Sequence, residues 1–269
     1  MDSLNVFWGF VATILVVGAS IEAGYRLGKI VHRRSPDEIA SSTSTIAGSV
    51  LGLLAFILAF TFGIVTNRYD ARKVLVREEA NAIGTAYLRS DFLPEADRAK
   101  AAALFREYVD SRLKAAQHPS AAGLEEALLT SARIQPALWT MAVTNARKEL
   151  DSDIGALYIQ ALNTVIDFHS SRLALIHARI PIGIWLVLYA LIILSMFGLG
   201  YQTAIADSRR SWIMPVLALA FSIVITLIYA LDSTHSTFIA VSQQPLMTLQ
   251  EQMAADVGKP AAPGRGSAQ

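Results

Sequence analysis

From Ile46 to Val65 the chain carries no charged side chain, and few folds can accept such a run. Its length meets the roughly 20 apolar residues needed to cross a hydrocarbon core about 30 Å thick. In that medium a helix satisfies all its backbone polar groups within one segment. Small hydroxyl residues, Ser41 to Thr45, open the run, and no proline or turn cluster closes it. Instead Asn67-Arg68-Tyr69-Asp70-Ala71-Arg72-Lys73 follows, and apolar residues then recur at helical spacing at Val74, Ala80, Ile83 and Tyr87. The pattern predicts a single helix over Ser41–Arg89 that leaves a membrane and continues as an amphipathic helix in water.

Composition agrees with that medium. The chain is 53% hydrophobic and 17% charged, where a soluble domain has about 25% charged residues, and the mean hydropathy is +0.42. A net charge of +1 gives no electrostatic footprint for nucleic acid; the expected partner is the lipid bilayer. With no cysteine in 269 residues, disulfides, thiolate catalysis and cysteine metal sites are excluded.

Three further spans are expected. Val6–Ile21 is apolar and runs through Tyr25 into Arg26, Lys29, Arg33 and Arg34, as a retained anchor does. Ile180–Gly200 is entered through Pro181, where a bend is expected at the surface, and Trp212–Leu231 is the last. Trp8, Tyr25, Tyr69, Tyr201, Trp212 and Tyr229 fall near span ends, as an interfacial aromatic belt requires. Between spans two and three no strand-like alternation occurs. Pro94 suits the first turn of a helix over Glu95–Gln117, and His118-Pro119-Ser120 reads as a turn. Pro136 must kink or split the helical pattern of Leu124–Leu150. Asp151-Ser152-Asp153 can cap a helix that runs on into span three. Val31–Ala40 reads as a short polar loop, and Pro245 can start a short helix presenting Leu246, Leu249 and Met253 on one side.

The expected fold is thus an all-α membrane protein: four transmembrane helices, a helical bundle inserted between spans two and three, and spans two and three continuing into it. In segments, 1–66 holds the first two spans, 67–179 the soluble bundle, 180–231 the last two spans, 232–257 a membrane-proximal tail and 258–269 a disordered end. Arg26, Lys29, Arg33 and Arg34 follow the first span, and no Lys or Arg precedes it. By charge bias the short loops lie in the cytoplasm and the bundle outside it.

No phosphate-cradling glycine loop, HExxH or GxSxG is present, and the five histidines are scattered, so neither an enzyme nor a cofactor or metal site is expected. Three constellations remain. Gly48, Gly52, Phe56, Phe60 and Ile64 repeat at four-residue spacing on span two. Small residues there serve close helix packing; in a symmetric oligomer the same stripe makes apolar rings of the kind that gate pores by dewetting. The second is polar, with Glu78, Glu79, Asn81 and Thr85 on one helix and Asn163, Asp167, Ser171 and Arg172 on another, and Asp232 at the end of span four. Glu79, Asn81, Asn163, Asp167, Arg172 and Asp232 form a candidate buried network, either fixing register between helices or lining an ion vestibule. The third is Glu22 with Arg26 one turn on, either a rim pair with Glu22 at the headgroups and Arg26 snorkelling, or an ion-path carboxylate within the membrane.

Glu79-Ala80-Asn81-Ala82-Ile83-Gly84-Thr85-Ala86-Tyr87-Leu88-Arg89, with Leu231-Asp232 and Val241-Ser242-Gln243-Gln244-Pro245-Leu246, resembles the bestrophin-like domain family of bacterial and plant membrane proteins. The resemblance implies a multi-pass protein of a bacterial inner membrane. It also implies, by way of the true bestrophins, a pentameric channel passing chloride or another small anion, with a hydrophobic neck on span two at Phe56, Phe60 and Ile64. Ser233-Thr234-His235 departs from the Arg-Pro that tends to follow the family's aspartate, and bestrophins keep their helical domain in the cytoplasm. The alternative is a non-transporting sensor or scaffold acting through the helical bundle.

Overall fold

In the computed structural model, residues 2–34, 40–117, 120–148, 153–206, 213–233 and 239–257 are described. Among them the fold is helical without strands: α1 (Asp2–Arg34), α2 (Ala40–Arg89), a 3₁₀ turn (Ser90–Phe92), α3 (Glu95–Gln117), α4 (Ala121–Ala146), α5 (Asp153–His177), α6 (Ile182–Ile205), α7 (Ile213–Asp232) and α8 (Gln244–Val257). The expected turn at His118-Pro119, the cap residues Asp151 and Ser152, Arg209, Arg210, Trp212, and the end of the chain at 258–269 lie outside the described residues. Stretches of α1, α2, α6 and α7 are long and apolar enough to cross a membrane. The chain is a multi-pass membrane protein.

The chain divides into two compact units, Met1–Asp70 with Ala178–Ala240, and Ala71–His177 with Val241–Gln269. Helix α2 runs through both as one 50-residue element, as its charge-free start and helical continuation require.

In the first unit, Val17, Leu54, Leu58, Val65, Leu188, Ile192, Met196, Ile225 and Ile228 form the core. Its closest packing comes from glycine. A Cβ on Gly24 would stand 2.0 Å from the Phe197 carbonyl oxygen, one on Gly200 2.1 Å from that of Ile21, and one on Gly28 2.7 Å from that of Tyr201. Only residues without a side chain let α1 and α6 approach until backbone meets backbone, the contact that dispersion rewards where lipid removes the hydrophobic driving force. Thr13 and Tyr189 hydroxyls pair at 3.0 Å between the same two helices.

Two expectations about helix ends are corrected here. Residues Val31 to Arg34 belong to α1 rather than to a loop, because nothing in Val31-His32-Arg33-Arg34 interrupts the helix before Pro36. Span three does not continue from the preceding helix: α5 ends at His177 and α6 begins at Ile182, with a non-helical stretch between. Proline removes the backbone donor at 181 and disfavours helical geometry at the residue before it. The Ile180 N–H, without a helical acceptor, donates instead to the Asp232 carboxylate at 3.1 Å.

The second unit packs Ile83, Ala86, Phe105, Tyr108, Val109, Ile134, Leu138, Tyr158, Leu162 and Val165 together with Leu246, Leu249 and Met253 of α8. Helix α8 therefore presents the three apolar residues its pattern predicted, and Leu249 comes close enough that a Cβ on Gly84 would meet its Cδ1 at 3.2 Å. Ser120 caps α4, its Oγ accepting from the Gly123 N–H at 3.0 Å. Pro136 does not split α4, which is assigned through it from Ala121 to Ala146. The ring sits on an exposed face while Ile134 and Leu138 beside it are buried, so tertiary burial holds the helix across the lost hydrogen bond.

Candidate functional site

On α2, the stripe singled out by spacing faces away from the rest of the chain. Phe56 is 66% and Phe60 62% exposed, and a Cβ added at Gly48 or Gly52 meets nothing within 4 Å. Close packing inside the chain is thus not what these glycines do; Gly24, Gly28 and Gly200 do that, with Gly198 against Ala47. Ile64, in contrast, is half-buried. The reason is geometric: at about 100° per residue a four-residue spacing turns about 40° at each step, so by Ile64 the stripe has wound toward the chain's own core, where Val65 is fully buried.

The polar constellation is brought together only in part. Glu79 is fully buried and its carboxylate is held by two arginines: Arg172 Nη1 donates to Oε2 at 2.5 Å, and Arg112 Nε stands 3.2 Å from Oε1. Arg112, 3% exposed, also donates through Nη2 to the Tyr108 hydroxyl at 2.9 Å and contacts His169 Nδ1. Gln135 Nε2 reaches the same hydroxyl at 3.5 Å. Thus α2, α3 and α5 are tied through one buried carboxylate. Asn81, Asn163 and Asp167 lie on exposed surface instead. Asp232 bonds within the first unit, to the Ile180 amide and to Arg68 Nη1 at 3.4 Å.

The electrostatics follow from burial. A lone carboxylate in such a place is costly unless paired; two guanidinium groups over-compensate it. Burial works to lower the Arg112 pKa, but Glu79 and Tyr108 more than offset it, and the net direction is upward. Burial raises the Tyr108 phenol. His169 is pushed down to about 4 by burial and then by the Arg112 charge, so at neutral pH it is a neutral acceptor. Two guanidinium groups on one carboxylate make the cluster a clamp between α2, α3 and α5. Tyr158 is also buried, its hydroxyl without a hydrogen-bond partner among the described residues, and burial alone pushes its pKa up.

Arg112, Tyr108 and His169 were not anticipated as members of this cluster. The signal was there for Arg112: it continues the apolar face Ala101, Phe105, Tyr108 at helical spacing, and a lone arginine on such a face needs a buried partner. Arg26 Nε donates to Glu22 Oε1 at 2.7 Å. Among the described residues no group of three or more His, Asp or Glu side chains is placed to hold a metal ion.

Comparison with known proteins adds one finding. Neither the curated proteins nor the solved structures compared give a significant match. A model of the bestrophin-like domain matches residues 14–246, from within α1 to the start of α8, taking in the whole of α2, the Glu79 clamp and the Asp232 bond at the start of span three. The chain belongs to the bestrophin-like family.

Proposed function

We propose that the protein assembles through the exposed face of α2 into a homo-oligomer, a pentamer by analogy with true bestrophins, that passes chloride or another small anion. Gly48, Gly52, Phe56 and Phe60 line the pore, with Ile64 at its edge. The observation that carries this reading is the exposure of that face within one chain. Among the described residues nothing packs on the two large aromatic rings and two glycines, and glycines at four-residue spacing suit close approach of a helix from another copy. Rings of phenylalanine would narrow the opening and repel water until the pore widens. The basic residues after the first span set the short loops in the cytoplasm and the helical head outside, in a bacterial inner membrane.

Purified protein in liposomes should release chloride down its gradient, and Phe56→Ala with Phe60→Ala should raise the leak several-fold. An intact oligomer that passes no chloride would favour the other reading, a non-transporting scaffold or sensor working through its helical head.

A further inference from the structure

A cavity of about 770 Å³ opens on the first unit, lined by Ile14, Gly18 and Tyr25 of α1, Thr203 of α6 and Pro215 and Ala218 of α7, among others. Chain direction fixes its orientation in the membrane. Tyr25 follows the apolar part of α1, Thr203 lies near the end of α6 and Pro215 near the start of α7, so all three sit at one interface. Ile14, Gly18 and Ala218 lie deeper. The cavity is therefore a groove running from the headgroup layer into the hydrocarbon.

Gly18 adds no side chain to its wall. A Cβ there would meet nothing within 4 Å, unlike the glycines at 24, 28 and 200, so no helix packing accounts for it. At the mouth the chemistry changes sign and polarity. Glu22 lines the groove and holds Arg26 through Nε, while the Arg26 side chain is 76% exposed and keeps its terminal nitrogens for a second acceptor. Lys29 extends the groove face by one turn beyond Tyr25, its Nζ 5.0 Å from the ring centroid. An open apolar groove, with two cations on α1 just beyond its lining residues Glu22 and Tyr25, matches an acyl chain beneath a phosphate.

We infer that this groove binds an anionic phospholipid, one acyl chain seated along Ile14, Gly18 and Ala218 and the phosphate held by Arg26 and Lys29. The site is independent of whether α2 lines a pore.

The test is lipid retention. Full-length protein reconstituted in vesicles of equal phosphatidylglycerol and phosphatidylethanolamine is extracted in mild detergent, and retained lipid is read by native mass spectrometry. Wild type keeps phosphatidylglycerol selectively. Gly18→Leu, which fills the slot, loses most of it, and Gly18→Ala loses less. Gly183→Leu, at a site where an added Cβ also meets nothing, retains it. Arg26→Gln and Lys29→Gln each lower retention about fivefold, as loss of one near-surface cation implies. Retention of phosphatidylethanolamine alone, no lipid on wild type, or unchanged retention by both Gly18→Leu and the Arg26→Gln Lys29→Gln pair would overturn the assignment. So would Gly18→Leu breaking the oligomer apart, since the groove would then seat a second copy of the chain.

Discussion

In the first unit Gly24 and Gly200 let two helix backbones touch, whereas in the second a fully buried Glu79 is paired with two arginines. The difference follows from the surroundings. Between helices already bathed in hydrocarbon, burying more apolar surface gains little, so contact must come from close approach, and any Cβ at the contact is a collision. The second unit gathers its own apolar core, and within that core a charged clamp of matched partners is tolerated and ties α2, α3 and α5 together.

The largest expected effect breaks the first kind of contact. Gly24→Leu should abolish a monodisperse folded protein, exceeding the ~3 kcal/mol of ordinary core overpacking, because the obstacle is a backbone carbonyl rather than a movable side chain. Gly52→Leu on α2, where a Cβ meets nothing within 4 Å, should leave the fold of each chain intact and weaken assembly, read by native mass. Next comes the clamp. Arg112→Met leaves Glu79 with one partner and should cost about 3–5 kcal/mol in thermal or denaturant unfolding. Replacing Glu79, Arg112 and Arg172 together by apolar residues should cost far less than that single change.

Acid should probe the clamp more gently. His169 binds a proton in the unfolded chain near its ordinary pKa of about 6.5 but in the folded protein only near about 4. The unfolded state thus holds more protons between those values, so the contribution of His169 is complete above about pH 6.5 and is lost as pH falls below it. His169→Gln should flatten the melting temperature between about pH 6.5 and 5. Smallest is Tyr158→Phe, which removes a buried hydroxyl that has no partner and should leave stability unchanged or raise it by up to about 1 kcal/mol.

Where periodicity and charge act along one segment, the sequence was legible. The charge-free run and the amphipathic continuation gave α2 from Ser41 to Arg89 against an observed start at Ala40, and Glu95–Gln117 is α3 as expected. Leu246, Leu249 and Met253 declared the buried side of α8. Pro181 predicts a bend, and the chain breaks there instead, since its effect depends on whether a distant acceptor, Asp232, can take the freed Ile180 amide. Glu79 and Arg172 stand out in the sequence as polar residues on two helices, but Arg112 and Tyr108 come from α3 and His169 from beside Arg172 on α5, a grouping that only the folded bundle makes. Gly24-Tyr25-Arg26-Leu27-Gly28 carries the small-residue spacing openly, yet its basic residues drew attention to charge. The same spacing at Gly48 and Gly52 serves no packing within the chain, so spacing shows that close approach is allowed and not which helix makes it.

The central claim, that the outward face of α2 meets the same face on other copies, is open to one direct measurement because the chain has no cysteine. A single Phe60→Cys should form disulfide-linked pairs of chains under mild oxidation in membranes, while Ile193→Cys, equally on an exposed face but on α6, should not. Phe60→Cys remaining uncrosslinked in an intact oligomer would contradict the claim, for it would place that face against lipid rather than against its own kind.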